Sequence, residues 1–341
     1  MGVVRTVLGD IDPDSVGHVM FHEHVLFDIV PPGAAGDRNA EITPQDRWQI
    51  DYRSNEAPAN AHQTDPAIAA AELRHFAADG GSLIVDQSVH GLARNPEGLA
   101  HTARASGVHV VASAGCYTAP YLSSALIEMD TDALASRFAA EVTQGLDGTP
   151  VRAGLIGEIG CSRPLRAFER RALRAAARAA QTTGAALSVH PGRAPDACAE
   201  ILDITAAEGL DPSRTILCHM DRTHPDGAGI ATLLARGANV EWDFFGIEQS
   251  HYWMGDVELP SDLDRLRLID RFAQAGYADQ ILVSHDICTK TRLRRWGGHG
   301  YGHILRNMPE LMRRLGFEPA LIARLLRDTP LRLLTLQETP A

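Results

Sequence analysis

The chain has 341 residues, a length that suits one large α/β barrel or two ordinary domains. Asp and Glu outnumber Lys and Arg by 43 to 32, and the resulting charge of −11 argues against a nucleic-acid-binding surface. With 45% hydrophobic and 22% charged residues, a disordered chain is excluded.

Short apolar runs alternate with longer helical stretches along the chain. Strands are expected at 17–24, 82–88, 108–114, 153–159, 185–190, 215–219, 238–243 and 280–285, because these runs are apolar and largely β-branched. Helices are expected near 65–79, 95–106, 131–146, 165–182, 195–208, 228–236, 261–275 and 307–328. Pro66, Pro96 and Pro195 stand where first helical turns would begin, and Gly80, Gly107, Gly184, Gly209, Gly237 and Gly276 where helices would stop. Eight β-then-α units predict one α/β domain over 1–341, a (β/α)8 TIM barrel with its site on the C-terminal face. An open doubly wound sheet is the main alternative. Residues 28–63 break the alternation and form a long insertion after the first strand, either a lid or substrate wall or a plain surface loop.

No apolar run is long enough for a membrane helix, and Arg5 and Asp10 interrupt the N-terminal segment, so no signal peptide is expected. Cys116, Cys161, Cys198, Cys218 and Cys288 show no paired spacing, which points to the cytoplasm rather than to a disulfide framework.

Ligand-type residues end five of the predicted strands. The first ends in His22-Glu23-His24, the fourth in Glu158, the fifth in His190, the sixth in His219 and the eighth in His285-Asp286. Residues two apart on a strand share a side, so His22 and His24 can reach one ion while Glu23 points away. Four histidines and two carboxylates suit two borderline divalent ions: zinc by default, with manganese, cobalt or iron fitting also. A lone histidine is usually a hydrogen-bonded core or surface residue; six ligand-type residues on five strand ends are not explained that way. Arg193 follows the fifth strand, and Arg292, Arg294 and Arg295 follow the eighth. They suggest a small substrate with an anionic tail.

At these residues the sequence resembles the phosphotriesterase family of the amidohydrolase superfamily, from about Thr6 to Leu336. The resemblance is carried by His22-x-His24, Ala153-Gly-Leu-Ile-Gly-Glu-Ile-Gly160, His190, His219 and Asp286. His190-Pro-Gly-Arg193, His219-Met-Asp-Arg222, Glu241-Trp-Asp-Phe-Phe-Gly246 and Arg295-Trp-Gly-Gly-His-Gly-Tyr301 narrow it to the phosphotriesterase-related branch. The resemblance implies a binuclear hydrolase in which His22, His24 and Asp286 hold the buried ion and His190 and His219 the exposed one. A carboxylated lysine bridges the ions in the better-known branch. Lys290, the one lysine of this chain, lies after the eighth strand, so Glu158 is the expected bridge.

The activity so implied is attack by a metal-bridging hydroxide on an N-acyl amide or carboxylic ester. Asp286 moves the proton, and Tyr117 stabilises the oxyanion. Asp221 or Asp243 would orient a histidine ligand. Phe244 stands where the family's lactonases carry an arginine, so Arg193, Phe244, Arg292 and Arg295 are the expected substrate contacts. A lactonase or promiscuous phosphotriesterase, and a non-catalytic ligand-binding protein on a hydrolase barrel, are the alternatives. A small-molecule substrate is expected, with no nucleic-acid or membrane partner; a homodimer is the assembly considered.

Overall fold

A computed structural model of the chain describes residues 2–53, 57–249, 252 and 254–336. Eight strands follow the expected runs: β1 (His18–Glu23), β2 (Gly81–Asp86), β3 (His109–Ala114), β4 (Leu155–Gly160), β5 (Leu187–His190), β6 (Thr215–Leu217), β7 (Asn239–Trp242) and β8 (Ile281–Val283). They pair in parallel, each with the next, from β1 through to β8. The seam between β8 and β1 is drawn together at the top, where the Asp286 amide donates to the His22 carbonyl at 3.0 Å and the His22 amide to Ser284 Oγ at 2.9 Å. The result is a TIM barrel, not an open sheet.

Helices cover its outside: α1 (Pro66–Ala78), α2 (Pro96–Ser106), α3 (Thr131–Thr143), α4 (Ala167–Thr183), α5 (Ala197–Ala207), α6 (Ile230–Ala235), α7 (Asp262–Phe272) and α8 (His303–Arg314). Local chemistry sets their ends. Asp65 and Asn95 accept amide hydrogens in the first turns of α1 and α2, each just before a proline. The small buried face of α4, from Ala172 through Ala180, brings it close to the sheet.

The last expected helix, 307–328, is not continuous. It starts earlier, at His303, and stops at Arg314. Gly316 takes φ +88°, and Pro319 begins a separate helix, Pro319–Ala323. A left-handed glycine followed by a residue with no N–H ends one helix and opens another.

Val19, Phe21, Leu83, Val85, Val111, Leu155, Ile216 and Leu282 fill the barrel. Val4, Leu331, Leu333 and Leu334 join them and plug the bottom, where strands Val3–Thr6, Gly9–Ile11 and Thr335–Leu336 form a small antiparallel sheet. With the lower barrel packed, the open end lies above the strand C-termini. The insertion is tied at its base by strands Phe27–Asp28 and His62–Gln63 and carries the short helix Arg47–Tyr52; residues 54–56 of it lie outside the described residues. No helix among the described residues is long and apolar enough to cross a membrane.

Candidate metal centre

The pairing of β1 with β2 shifts register between Met20 and Glu23, a bulge that breaks the simple alternation of the strand. His22 and His24 face the barrel axis, whereas Glu23 turns into the β1/β8 seam. There it accepts from Ser284 Oγ at 2.9 Å and from the amides of His285 and Ile287, each at 3.0 Å. Glu23 thus grips both neighbours of Asp286.

On β4, Gly157 has φ +111°, and a Cβ there would lie 2.0 Å from the Ser188 carbonyl oxygen. Glycine is required at this position, and it delivers Glu158 to the centre. His219 (φ +58°) and Asp286 (φ +48°) hold left-handed backbone with side chains that disfavour it, a cost of about 1–3 kcal/mol each that the surroundings must offset.

These elements place Glu158 among four imidazoles. Its carboxylate lies 3.6 Å from His22 Nε2, 3.6 Å from His24 Nε2, 2.9 Å from His190 Nδ1 and 3.2 Å from His219 Nε2. Asp286 Oδ1 is 3.2 Å from His24 Nε2 and 3.8 Å from His22 Nε2. Two clusters, His22–His24–Glu158 and Glu158–His190–His219, each hold ligand atoms within 4.8 Å of one another and share Glu158.

The donor set fits divalent cations, and one atom argues for them directly. Among the described residues, His22 Nε2 is buried at the centre with no hydrogen-bond partner, a cost that a cation in reach would remove. The far ring nitrogens are held in place. His24 Nδ1 meets Ser88 Oγ at 3.0 Å, His22 Nδ1 meets Glu241 at 3.3 Å, and His219 Nδ1 meets Asp243 at 2.8 Å. Of the two aspartates expected to orient a histidine, Asp243 does so directly. Asp221 accepts the Asp243 amide at 3.0 Å and pairs with the buried Arg265.

Protonation states at His190 and His219 suit ligation, whereas His22 and His24 are raised above the usual imidazole range, because Cys218 beside the first and Asp286 beside the second outweigh burial. Burial pushes His190 down to about 4, and burial together with the Arg222 guanidinium holds His219 well below its usual range, so both imidazoles are neutral. Burial alone would raise Glu158 and Asp286. The surrounding histidines outweigh it and hold Glu158 well below the usual carboxylate range and Asp286 at about 2. Both carboxylates are ionised at neutral pH.

A cavity of about 460 Å³ opens above these residues. Tyr117 lines it, edge-on to His190 with ring centroids 5.0 Å apart. Burial and the charge of Glu158 push its phenol well above 10.0, so it stays a hydrogen-bond donor. Phe244 lines the cavity 5.4 Å from the His219 ring, and Arg193 stands at the exposed rim. Ile29, Pro31, Trp48 and Tyr52 of the insertion form part of the wall.

Two of the expected substrate arginines are otherwise employed. Arg292 reaches the cavity, but its Nη1 donates to the carbonyls of Asp286 (3.0 Å) and His285 (3.4 Å). Arg295 is not among the cavity-lining residues: its amide donates to Glu72 and its guanidinium lies over Trp296, turned there by the packing of its loop on α1. Its neighbour Arg294 faces Asp79 at 3.8 Å. Sequence reasoning missed Arg222, which is 2% exposed and lines the cavity beside His190.

An eight-stranded parallel barrel with imidazoles and carboxylates gathered above its strand ends defines a (β/α)8 metal-dependent hydrolase. The phosphotriesterase family model matches residues 2–334, and the chain belongs to that family. N-acetyltaurine hydrolase of Homo sapiens is 36% identical over 343 residues, which cover 98% of each chain. A resiniferatoxin-binding protein from Rhodobacter sphaeroides superposes with a TM-score of 0.91 at 36% identity, covering 98% of this chain and 95% of that one. A lactonase from Listeria monocytogenes shares the fold at 24% identity, with a TM-score of 0.81 over 98% of this chain and all of its own.

Proposed function

We propose that the chain hydrolyses the amide bond of a small, anionic N-acyl substrate, using two divalent cations, zinc by default. The observation that carries this reading is Glu158 set among His22, His24, His190 and His219 with Asp286 beside it. The 36% identity to N-acetyltaurine hydrolases over 98% of both chains supports an amide over an ester. His22, His24 and Asp286 would hold one cation and His190 and His219 the other, with Glu158 between them.

Cations bound there supply Lewis acidity and lower the pKa of a water towards neutrality. The protein does the rest. Asp286, ionised and facing His24, accepts the proton of the attacking water at Oδ1 and delivers it to the amine leaving group. The Tyr117 phenol, still protonated, donates to the oxygen that gains charge. Ser88, Glu241 and Asp243 fix the imidazole planes so that the ligand nitrogens face inward. Phe244 and Arg193 contact the substrate, and the insertion closes one side of its cavity. The free thiols of all five cysteines support a reducing compartment, the cytoplasm.

The test is Asp286→Asn, assayed on N-acyl amides with metal content measured in parallel. Turnover is expected to fall by about 10²–10⁴-fold while metal remains partly bound. Unchanged turnover with intact metal content sinks the role of Asp286.

A further inference from the structure

His190 and His219 share a feature beyond ligation. Each is followed, three residues on, by an arginine: His190-Pro-Gly-Arg193 and His219-Met-Asp-Arg222. The two strand ends therefore each project an imidazole and a guanidinium towards the same cavity.

Four arginines line that cavity, and their partners separate them. Arg47 is paired with Asp51 at 3.0 Å, and Arg292 donates to backbone carbonyls. Arg193 and Arg222 have no carboxylate partner among the described residues. Arg193 Nε donates to Tyr252 Oη at 3.1 Å, and its guanidinium lies over the Tyr252 ring. Arg222 donates to the Pro191 carbonyl at 2.9 Å and to Thr223 Oγ1 at 3.4 Å, and meets His190 Nε2 at 3.2 Å. None of these partners neutralises the charge.

A buried guanidinium without a counterion is expensive, and its cost falls when an anion reaches it. The cavity's own acids do not serve. Asp51 is on Arg47, Glu248 accepts the Asp262 amide at 2.9 Å, and Glu158 and Asp286 are taken up among the histidines of the centre. The contact with His190 points the same way. His190 turns Nδ1 towards Glu158 and His219. An imidazole that ligates through Nδ1 carries its proton on Nε2 and cannot accept from Arg222, which leaves that N–H for another acceptor.

Resting on the amide-hydrolase reading, we propose that Arg222, with Arg193 at the rim, forms the subsite for the substrate's anionic group. Arg222 stands one imidazole away from the ligand nitrogen of His190. A carboxylate or sulfonate on a short linker from the amide nitrogen spans that distance, so the pair selects acyl amides of short amino acids or aminosulfonates over neutral amides.

The full-length, metal-loaded enzyme tests this with three acetamides of matched length: N-acetyltaurine, N-acetyl-β-alanine and the neutral N-propylacetamide. The wild type is expected to favour an anionic substrate by more than about tenfold in kcat/KM, and the ratio of the two acids separates sulfonate from carboxylate. Arg222→Gln should lower kcat/KM for the preferred acid by about 10–100-fold, chiefly through KM, and leave N-propylacetamide within about twofold; Arg222→Lys should recover part of the loss. Equal losses on all three substrates would make Arg222 a support for His190 and overturn the proposal. Calorimetric titration of ethanesulfonate into the wild type, with neutral ethyl methyl sulfone as control, needs no variant; equal binding of the two also overturns it. If none of the amides is turned over, the amide reading fails, while this titration still decides the subsite.

Discussion

Glu141 on α3 offers a measurement of how the loop that carries Tyr117 is held. Its carboxylate is 5% exposed and accepts from Arg94, itself 2% exposed, at 3.0 Å. It also contacts His90 at 3.0 Å and accepts the Gly115 amide, two residues before Tyr117, at 3.0 Å. Burial alone would raise this carboxyl, but the hydrogen bonds from His90 and Arg94 hold it down at about 2, against an ordinary value of 4.5. That gap corresponds to about 3 kcal/mol of stability at neutral pH. Because the folded value is the depressed one, the contribution is complete above pH 4.5 and is lost as pH falls towards 2. At pH 3 about 1.4 kcal/mol of it remains.

The perturbation is Glu141→Gln, with urea unfolding of variant and wild type compared at pH 7, 4 and 3. The variant is expected to be less stable by about 3 kcal/mol at pH 7, with the difference roughly halved at pH 3. A difference that does not change with pH would refute the electrostatic argument and leave only a packing role for Glu141.

Three further outcomes are expected. Asp243→Asn removes the carboxylate on His219 Nδ1 (2.8 Å) and should weaken metal binding by about 10–100-fold, read by competition with a chromophoric chelator; unaltered affinity would count against the orienting role. Tyr117→Phe should lower kcat by about 10²-fold with little change in KM, and a raised KM with kcat unchanged would point to ground-state binding instead. Stripping the protein with a chelator should abolish turnover and cost about 3 kcal/mol relative to metal held a hundredfold above its Kd; an unfolding temperature unmoved by chelation would contradict a site in which cations relieve the unpartnered His22 Nε2.

Much of this was legible in the sequence because it depends on local pattern. Eight apolar runs, each followed by a helical stretch, specify the barrel. Its geometry then carries His22, His24, Glu158, His190, His219 and Asp286 to one mouth, so ligand-type residues at strand ends could be read as a site. The final helix was misjudged because the apolar pattern runs on through Gly316 and Pro319, although the backbone turns there. Arg295 was misplaced for a different reason. Its position in the chain puts it on the right loop, but Glu72 on α1, 223 residues away in sequence, holds its backbone amide, and its guanidinium lies over Trp296.

The composition alone, with Lys290 as the single lysine, determined that no lysine can bridge cations on β4, and the strand pattern determined that Glu158 stands there instead. Tertiary structure decided what depends on approach between distant segments: the left-handed backbone of His219 and Asp286, the grip of Glu23 on the β1/β8 seam, and the cavity wall built by the insertion. It also decided which arginines remain without a counterion among the described residues. A guanidinium's partners come from whatever packs against it, and that is settled by the fold and not by its neighbours in sequence.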